Sequence, residues 1–485
     1  MRKILQPIIA ILMIQLLLVQ QSYGFCGFYV AKADASLFNN KSEVILVRDG
    51  NKTVITMSND FKGDVKDFAM VVPVPVVLKE NQIHVVKRNV FDYLDAYSAP
   101  RLVEYYDTNP CQVLYDMDEV TTLSYTNASA PMTEMFADRS FAKKEVVKIE
   151  AQYQIGEYDI LLLSATESNG LKDWLIGNGY KIPETAAEVL EPYIKSKMKF
   201  FVVKVNTQKF QASGFDYLSP IQISFENERF MLPIRLGMAN SQGSQDMIVY
   251  AFTRTGRVEC TNYRTLKMPT DRNVPLFVKD EFGSFYKNLF DKNWKRESRK
   301  AVFLEYAWDV TPNWGMKCDP CVGPPPLQQE FADAGVWWAN EPGGNRTFFT
   351  RMHVRYEKDR FPSDLTFQIT PNNEQYQARY VLTNPASGSF DCDEGQEYLV
   401  SLMEKRQLEV DEYNALTGNW SKKSYAYIHE FAKYQKPTYK RNDTPPTIGW
   451  WNDNGMNRKL FIAMALLLSV VGVSVLNQRK TLATK

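Results

Sequence analysis

The sequence predicts an α+β fold of mostly antiparallel strands, with a central strand-helix-helix-strand unit and one C-terminal transmembrane helix. Three observations predict it. Short runs rich in β-branched and aromatic residues recur along most of the chain, parted by polar turns. Residues 157–206 place two stretches of helical spacing between two strand-like runs. Residues 460–476 carry no charge and are bracketed by Arg458-Lys459 and Arg479-Lys480.

The chain opens with Met1-Arg2-Lys3, an apolar run from Ile8 to Val19, and Ser22-Tyr23-Gly24. Charged start, apolar core and small-x-small site together predict a secretory signal peptide over residues 1–24. Phe25 before Cys26 is too bulky for a lipidation site. Residues 25–156 read as an N-terminal β-rich region. Asp49-Gly50-Asn51-Lys52 joins Val44–Val47 to Thr53–Met57 as a hairpin with a four-residue loop. Val72-Pro73-Val74-Pro75 lacks alternate ladder donors and predicts an edge strand or extended segment. Asn89 caps a short helix that ends before Pro100, and Asn109–Ser140 reads as a long polar loop.

Residues 157–300 form a central α+β region. Tyr158–Ser164 is apolar enough for a buried strand, and Gly170–Leu175 has helical spacing stopped by Gly177-Asn178-Gly179. Pro183 opens a second helix with Ala186, Val189, Leu190, Tyr193 and Ile194 on one face. Phe200–Val205 closes the unit as a strand. Ile221–Phe225 and Arg229–Leu236 alternate as strands. Asp246–Thr253 and Arg257–Lys267 read as an antiparallel pair turned at Thr255-Gly256, and Lys279–Phe290 as a helix. Residues 301–435 form a C-terminal α+β region with a rigid loop, Cys318 to Pro326, and a polar helix, Gln396–Leu416, stopped at Thr417-Gly418. A stalk over 436–459 leads to the transmembrane helix 460–476, about 26 Å long at ~1.5 Å per residue, and a cytoplasmic tail over 477–485.

Charge and motifs narrow the function. Lys and Arg number 57 against 56 Asp and Glu, with no basic stripe, so nucleic acid is not an expected partner. His84, His353 and His429 are the only histidines and share no metal-binding spacing. His353 alternates on a strand with Met352 and Val354 opposite, which predicts a satisfied strand-face histidine. No nucleophile elbow, P-loop or dinucleotide fingerprint occurs, and the acidic residues form no paired-carboxylate pattern. No catalytic, cofactor-binding or metal-binding residue is therefore assigned, and no cofactor is expected. The disulfide candidates are Cys26, Cys111, Cys260, Cys318, Cys321 and Cys392, all in the exported part. Cys318-Asp319-Pro320-Cys321 resembles the C-x-P-C of thioredoxin-like oxidoreductases. Gly323 and three prolines deny it the following helix that would lower a thiol pKa, so a structural bond is the expectation, with redox and metal roles as rivals.

Cys26-Gly27-Phe28-Tyr29-Val30-Ala31, Val72-Pro73-Val74-Pro75, Asp95–Tyr105, Leu163-Ser164-Ala165, Asn262-Tyr263-Arg264-Thr265 and Cys318-Asp319-Pro320-Cys321 together resemble the bacterial domain of unknown function 2330 across most of residues 25–420. The resemblance implies a bacterial envelope protein and transfers no activity. The expectation is a single-pass protein of the bacterial cell membrane, its ectodomain in the periplasm or outside, acting as a non-catalytic binding or structural module. The membrane, through the C-terminal helix, is the one partner named; a protein or glycan partner stays open. The alternative is an envelope thiol-disulfide oxidoreductase using Cys318 and Cys321.

Overall fold

The structure, a computed structural model, describes residues 28–29, 38–39, 42–59, 61–62, 69–112, 146–178, 180, 186–213, 218–239, 243–311, 326, 328–341 and 346–430. The signal peptide 1–24, Cys26, Cys318, Cys321, the stalk 436–459, the apolar segment 460–476 and the tail 477–485 lie outside the described residues. Among those described, no helix is long and apolar enough to cross a membrane.

The first part of the chain forms β1 (Phe28–Tyr29), β2 (Phe38–Asn39), β3 (Ser42–Asp49), β4 (Lys52–Asn59), β5 (Phe61–Lys62), β6 (Ala69–Val74), β7 (Ile83–Val85), α1 (Asn89–Ser98) and β8 (Arg101–Tyr106). β9 (Val147–Ile155) precedes the predicted central unit: β10 (Tyr158–Ala165), α2 (Ser168–Gly177), α3 (Ala186–Lys195) and β11 (Lys199–Val205). Then come α4 (Thr207–Ser213), β12 (Leu218–Glu226), β13 (Met231–Leu232), α5 (Arg235–Ala239), β14 (Gln245–Thr253), β15 (Val258–Cys260), β16 (Arg264–Lys267), β17 (Arg272–Asn273) and α6 (Val278–Arg296). The last stretch holds β18 (Ala301–Asp309), α7 (Gln328–Asp333), β19 (Phe348–Tyr356), β20 (Leu365–Ile369), β21 (Tyr376–Gln377), β22 (Arg379–Asn384), α8 (Asp393–Thr417) and α9 (Ser424–His429).

Two sheets dominate. One runs β1-β6-β11-β10-β9; the other runs β16-β18-β19-β14-β3-β4-β12-β7, with β21 on β18. Val44, Leu46, Ile55, Ile223, Val249 and Met352 from the larger sheet meet Met70, Val72, Ile160, Leu162, Phe201 and Val203 from the smaller in one core. The alternate residues of both sheets face helices. Leu171 and Leu175 of α2 and Leu190, Tyr193 and Ile194 of α3 cover Val71, Leu163, Phe200 and Val202. Phe91 and Leu94 of α1 and Phe331 of α7 cover Ile45, Tyr250, Phe252 and Phe349, while α6 and α8 cover Phe303 and Tyr380. The body is thus helix, sheet, sheet, helix, each strand layer buried on both faces. That explains the nearly continuous apolar text of β3, β11 and β14, which a one-faced sheet would not need.

Most pairings are antiparallel; β14 with β3, β16 with β18, β17 with β22 and β22 with β8 are parallel. Four sequence expectations change, the first being that Asn89 lies inside α1, with Arg88 at the N-cap and no side-chain cap bond. Asp49 pairs with Lys52, so the first hairpin turns on Gly50-Asn51 alone, with Gly50 at φ +53°. β14 does not pair with β15: it lies between β3 and β19, and β15 joins β20 instead. A Cβ at Gly256 would stand 2.4 Å from the Thr370 carbonyl, so this turn serves a close backbone crossing rather than a hairpin. Arg229–Leu236 shrinks to the two residues of β13. The half-buried Asp364 carboxylate accepts from Ile234 N (2.9 Å) and Arg235 N (3.1 Å), which starts α5 where the strand pattern ran on.

Candidate functional site: an interlayer cleft

At one end of the two-sheet core the layers part and leave a cleft of about 300 Å³. Its walls are apolar: Ile55 of β4, Val72 and Val74 of β6, Ile223 and Phe225 of β12, and Met231 of β13. Pro73, Pro75 and Pro233 also line it, so the proline-bearing stretch of β6 meets the residue that follows β13 here. β6 pairs with β11 from Ala69 to Val74 but with β1 only at Met70 and Val71. Pro73 and Pro75 carry no N–H, so this stretch supplies an incomplete set of ladder donors.

The lip is built by a buried arginine. Arg48, at the end of β3, donates to Thr53 Oγ1 (2.6 Å), Asn227 O (2.8 Å), Glu228 O (3.1 Å) and Asn51 O (3.1 Å), and lies over the Phe230 ring. Asn227 N donates to Asn51 O, and Arg229 N to Asn227 Oδ1 (2.7 Å). These bonds hold residues 227–230 in a tight bend, with the exposed side chains of Glu228 and Arg229 at the mouth. Neither has an ion-pair partner among the described residues. Opposite, Lys197 at φ +56° turns the chain from α3 into β11 and brings Ser196 and Met198 to the cleft.

A second polar assembly crosses the helix-covered face of the larger sheet. Arg351 Nε donates to Glu305 Oε2 (2.7 Å), and Arg351 Nη1 reaches Asp95 Oδ1 (2.7 Å). His353 places Nδ1 3.0 Å from Glu305 Oε1 and Nε2 2.8 Å from Asp246 Oδ1. Arg355 Nε donates to Asp246 Oδ1 (2.8 Å) and its Nη1 to Asp291. Tyr286 Oη donates to Glu305 Oε1 (2.5 Å), and Tyr250 Oη lies between Glu43 and Asp95. Carboxylates only accept, so a ring held by one on each nitrogen is an imidazolium with both N–H groups donating. Burial alone would lower the His353 pKa, but Glu305 and Asp246 outweigh it and hold it above the ordinary value. Burial would likewise raise Glu305 and Asp246, yet Arg351 and His353 beside the first, and His353 and Arg355 beside the second, hold each at about 2. With no lone pair free, His353 has nothing with which to accept a proton. This assembly bonds layers together, and the satisfied strand-face histidine predicted from sequence is what the structure contains.

The carboxylates escaped sequence reading because Glu43, Asp95, Asp246, Asp291 and Glu305 stand far apart in the chain. One signal was present: Arg351, His353 and Arg355 alternate on one strand, and three cationic residues on one face of a buried strand require carboxylates nearby. Of the other histidines, His84 is exposed on β7 and His429 packs edge-on against Tyr425. No group of three metal-ligating side chains gathers among the described residues.

Of the disulfide candidates, Cys111 and Cys392 are bonded to each other, across 281 residues. Cys392 is also the N-cap of α8, its Sγ accepting from Gly395 N. Cys260 departs from the expectation. It is a buried free thiol within the β15 edge, with Sγ 3.3 Å from Asn262 Oδ1, and burial pushes its pKa up. Cys392 is therefore not a partner for Cys318 or Cys321.

The model of the family described as an uncharacterized protein conserved in bacteria (DUF2330) matches residues 20–368. No curated protein and no solved structure matches the chain.

Proposed function

The chain belongs to the DUF2330 family of bacterial proteins, and on that footing we propose that it is a cell-envelope protein held by one C-terminal membrane helix, its body a non-catalytic binding module. The signal-like start and the uncharged run 460–476 support export and anchoring. The cleft carries the binding reading: it is a concave site with an apolar wall and a polar mouth formed by Ser196, Asn227, Glu228 and Arg229. Its chemistry selects a slender apolar ligand with a charged or polar end, since Glu228 and Arg229 at the mouth have no ion-pair partner among the described residues. The lining includes Ser196 but no histidine or lysine to deprotonate it, which favours binding over acyl transfer.

Two experiments test this reading. Removing residues 456–485 should release a soluble body from membranes; a truncated chain that stays with membranes through a high-salt wash defeats the single-anchor reading. A thermal-shift screen of small apolar amines and carboxylates on that body, beside a Met231→Trp variant whose indole fills the cleft, tests the site. A ligand at a hundred times its Kd stabilises by about 2.7 kcal/mol. At roughly 2.1 cal/mol/K per residue over some 400 residues, that is about 3 °C. Hits that shift both proteins equally place binding elsewhere.

A further inference from the structure

Six of the eleven most exposed large apolar side chains among the described residues, Tyr105, Tyr106, Val400, Leu408, Trp420 and Tyr425, come from β8, α8 and the segment through α9. Three of them neighbour two ion pairs made by the first turn of α6. Tyr106 is 72% exposed at the end of β8, beside Lys279, whose Nζ reaches Glu104 Oε1 (2.7 Å). Two residues along α6, Glu281 pairs with Lys423 (2.5 Å), and Lys423 is flanked by Trp420, 59% exposed, and Tyr425, 67% exposed. Trp420 has no ring partner among the described residues. The supporting structure is fixed: Tyr427 Oη donates to Glu409 and the Arg406 guanidinium lies over its ring, which locks α9 against α8.

Exposed tyrosine and tryptophan with solvated polar tips and lysines beside them suit a lipid–water interface, where the ring is half in hydrocarbon and the polar end is wet. The position of the chain's exit argues for the same occupant. The described body ends at Glu430, five residues beyond Tyr425, and the 29 residues 431–459 lead to the apolar run at 460. Such a segment spans at most about 100 Å, so the body stays close to the bilayer at high effective concentration and a weak contact suffices. α8 carries seven acidic residues against two basic ones (Asp393, Glu394, Glu397, Glu404, Glu409, Asp411, Glu412; Lys405, Arg406), which disfavours an anionic surface.

We propose that the Tyr106–Trp420–Tyr425 face rests on the zwitterionic phospholipid headgroups of the membrane that holds the protein. This rests on the anchoring proposed above. The test uses the full chain in phosphatidylcholine nanodiscs, in a Trp450→Phe, Trp451→Phe background that leaves seven of the nine tryptophans. Brominated acyl chains should quench up to about a seventh of the emission, Trp420→Phe should abolish that quenching, and 0.5 M salt should leave it unchanged. Equal quenching with and without Trp420 overturns the proposal while the anchor stands. A chain that does not co-purify with the discs overturns the anchor and this face with it. Trp420 unquenched by lipid yet shielded from N-bromosuccinimide in cells assigns the face to a protein and also overturns it.

Discussion

Glu305→Gln is the sharpest probe of what holds the larger sheet to its helices. The carboxylate is 1% exposed and receives Arg351 Nε, His353 Nδ1 and Tyr286 Oη. Glutamine keeps the shape but removes the charge, and its NH₂ must face one of those donors. The native carboxyl is held at about 2 against an ordinary 4.5. Arg351 and His353 hold it there against the opposing effect of burial. Breaking one partner of a buried ion pair costs about 3–5 kcal/mol. Over some 400 residues the expected loss in Tm is about 4–6 °C at pH 7. Scanning calorimetry of the body lacking residues 456–485 measures it. A variant melting within a degree of the native protein, or above it, would refute the claim that this carboxylate is the hub.

Three further outcomes follow from the same geometry. Stability should peak in mildly acidic solution: the carboxylate contribution is complete above about pH 4.5 and is lost as pH falls toward 2, whereas the His353 contribution is complete below about pH 6.5 and is lost as pH rises through its raised pKa. His353→Gln should flatten the alkaline limb in urea titrations and leave the acid limb in place. Gly395→Ala should cost about 2–4 kcal/mol, since a Cβ there meets Cys111 Sγ at 2.5 Å and Phe390 backbone at 2.9 Å; thiol titration without reductant should count two additional free cysteines. Trp174→Ala should cost about 2 kcal/mol, below the ~3–5 of a fully buried tryptophan, because Trp174 is only partly buried against the α2–α3 core. A loss under half a kcal/mol in urea unfolding would place its ring in solvent.

Local features were legible in the sequence. The unit at 157–206 folds as read, with Leu171, Leu175, Leu190 and Tyr193 inward, because apolar spacing and stop signals agreed there. α8 ends at Gly418 with φ +74°, as Thr417-Gly418 announced. Pairing was not legible. β14 reads as half of a hairpin, yet its neighbours are β3, two hundred residues earlier, and β19, a hundred later. Strand text states that a residue is buried but not beside what, so the cleft and the charge assembly, both made of residues brought together by pairing, had no sequence signature beyond their prolines and alternating cations.

The folded body also extends past the region the family match covers. That match ends at residue 368, inside β20. Beyond it, β22 pairs with β8 along Arg101–Tyr106, and β21 extends the β18 edge at Tyr306 and Ala307. α8 packs Tyr413 and Leu416 against Phe285 of α6, and Lys405 binds Asp107 (2.9 Å) just after β8. The one described disulfide joins Cys111, inside the match, to Cys392, outside it. Ala378, Tyr380 and Leu382 are wholly buried, so a chain ended at 368 would uncover the α6 core and strip β8 of its parallel partner. Residues 369–430 are therefore part of the body rather than an appendage, and they supply the exposed Trp420 and Tyr425 near the point where the chain leaves it.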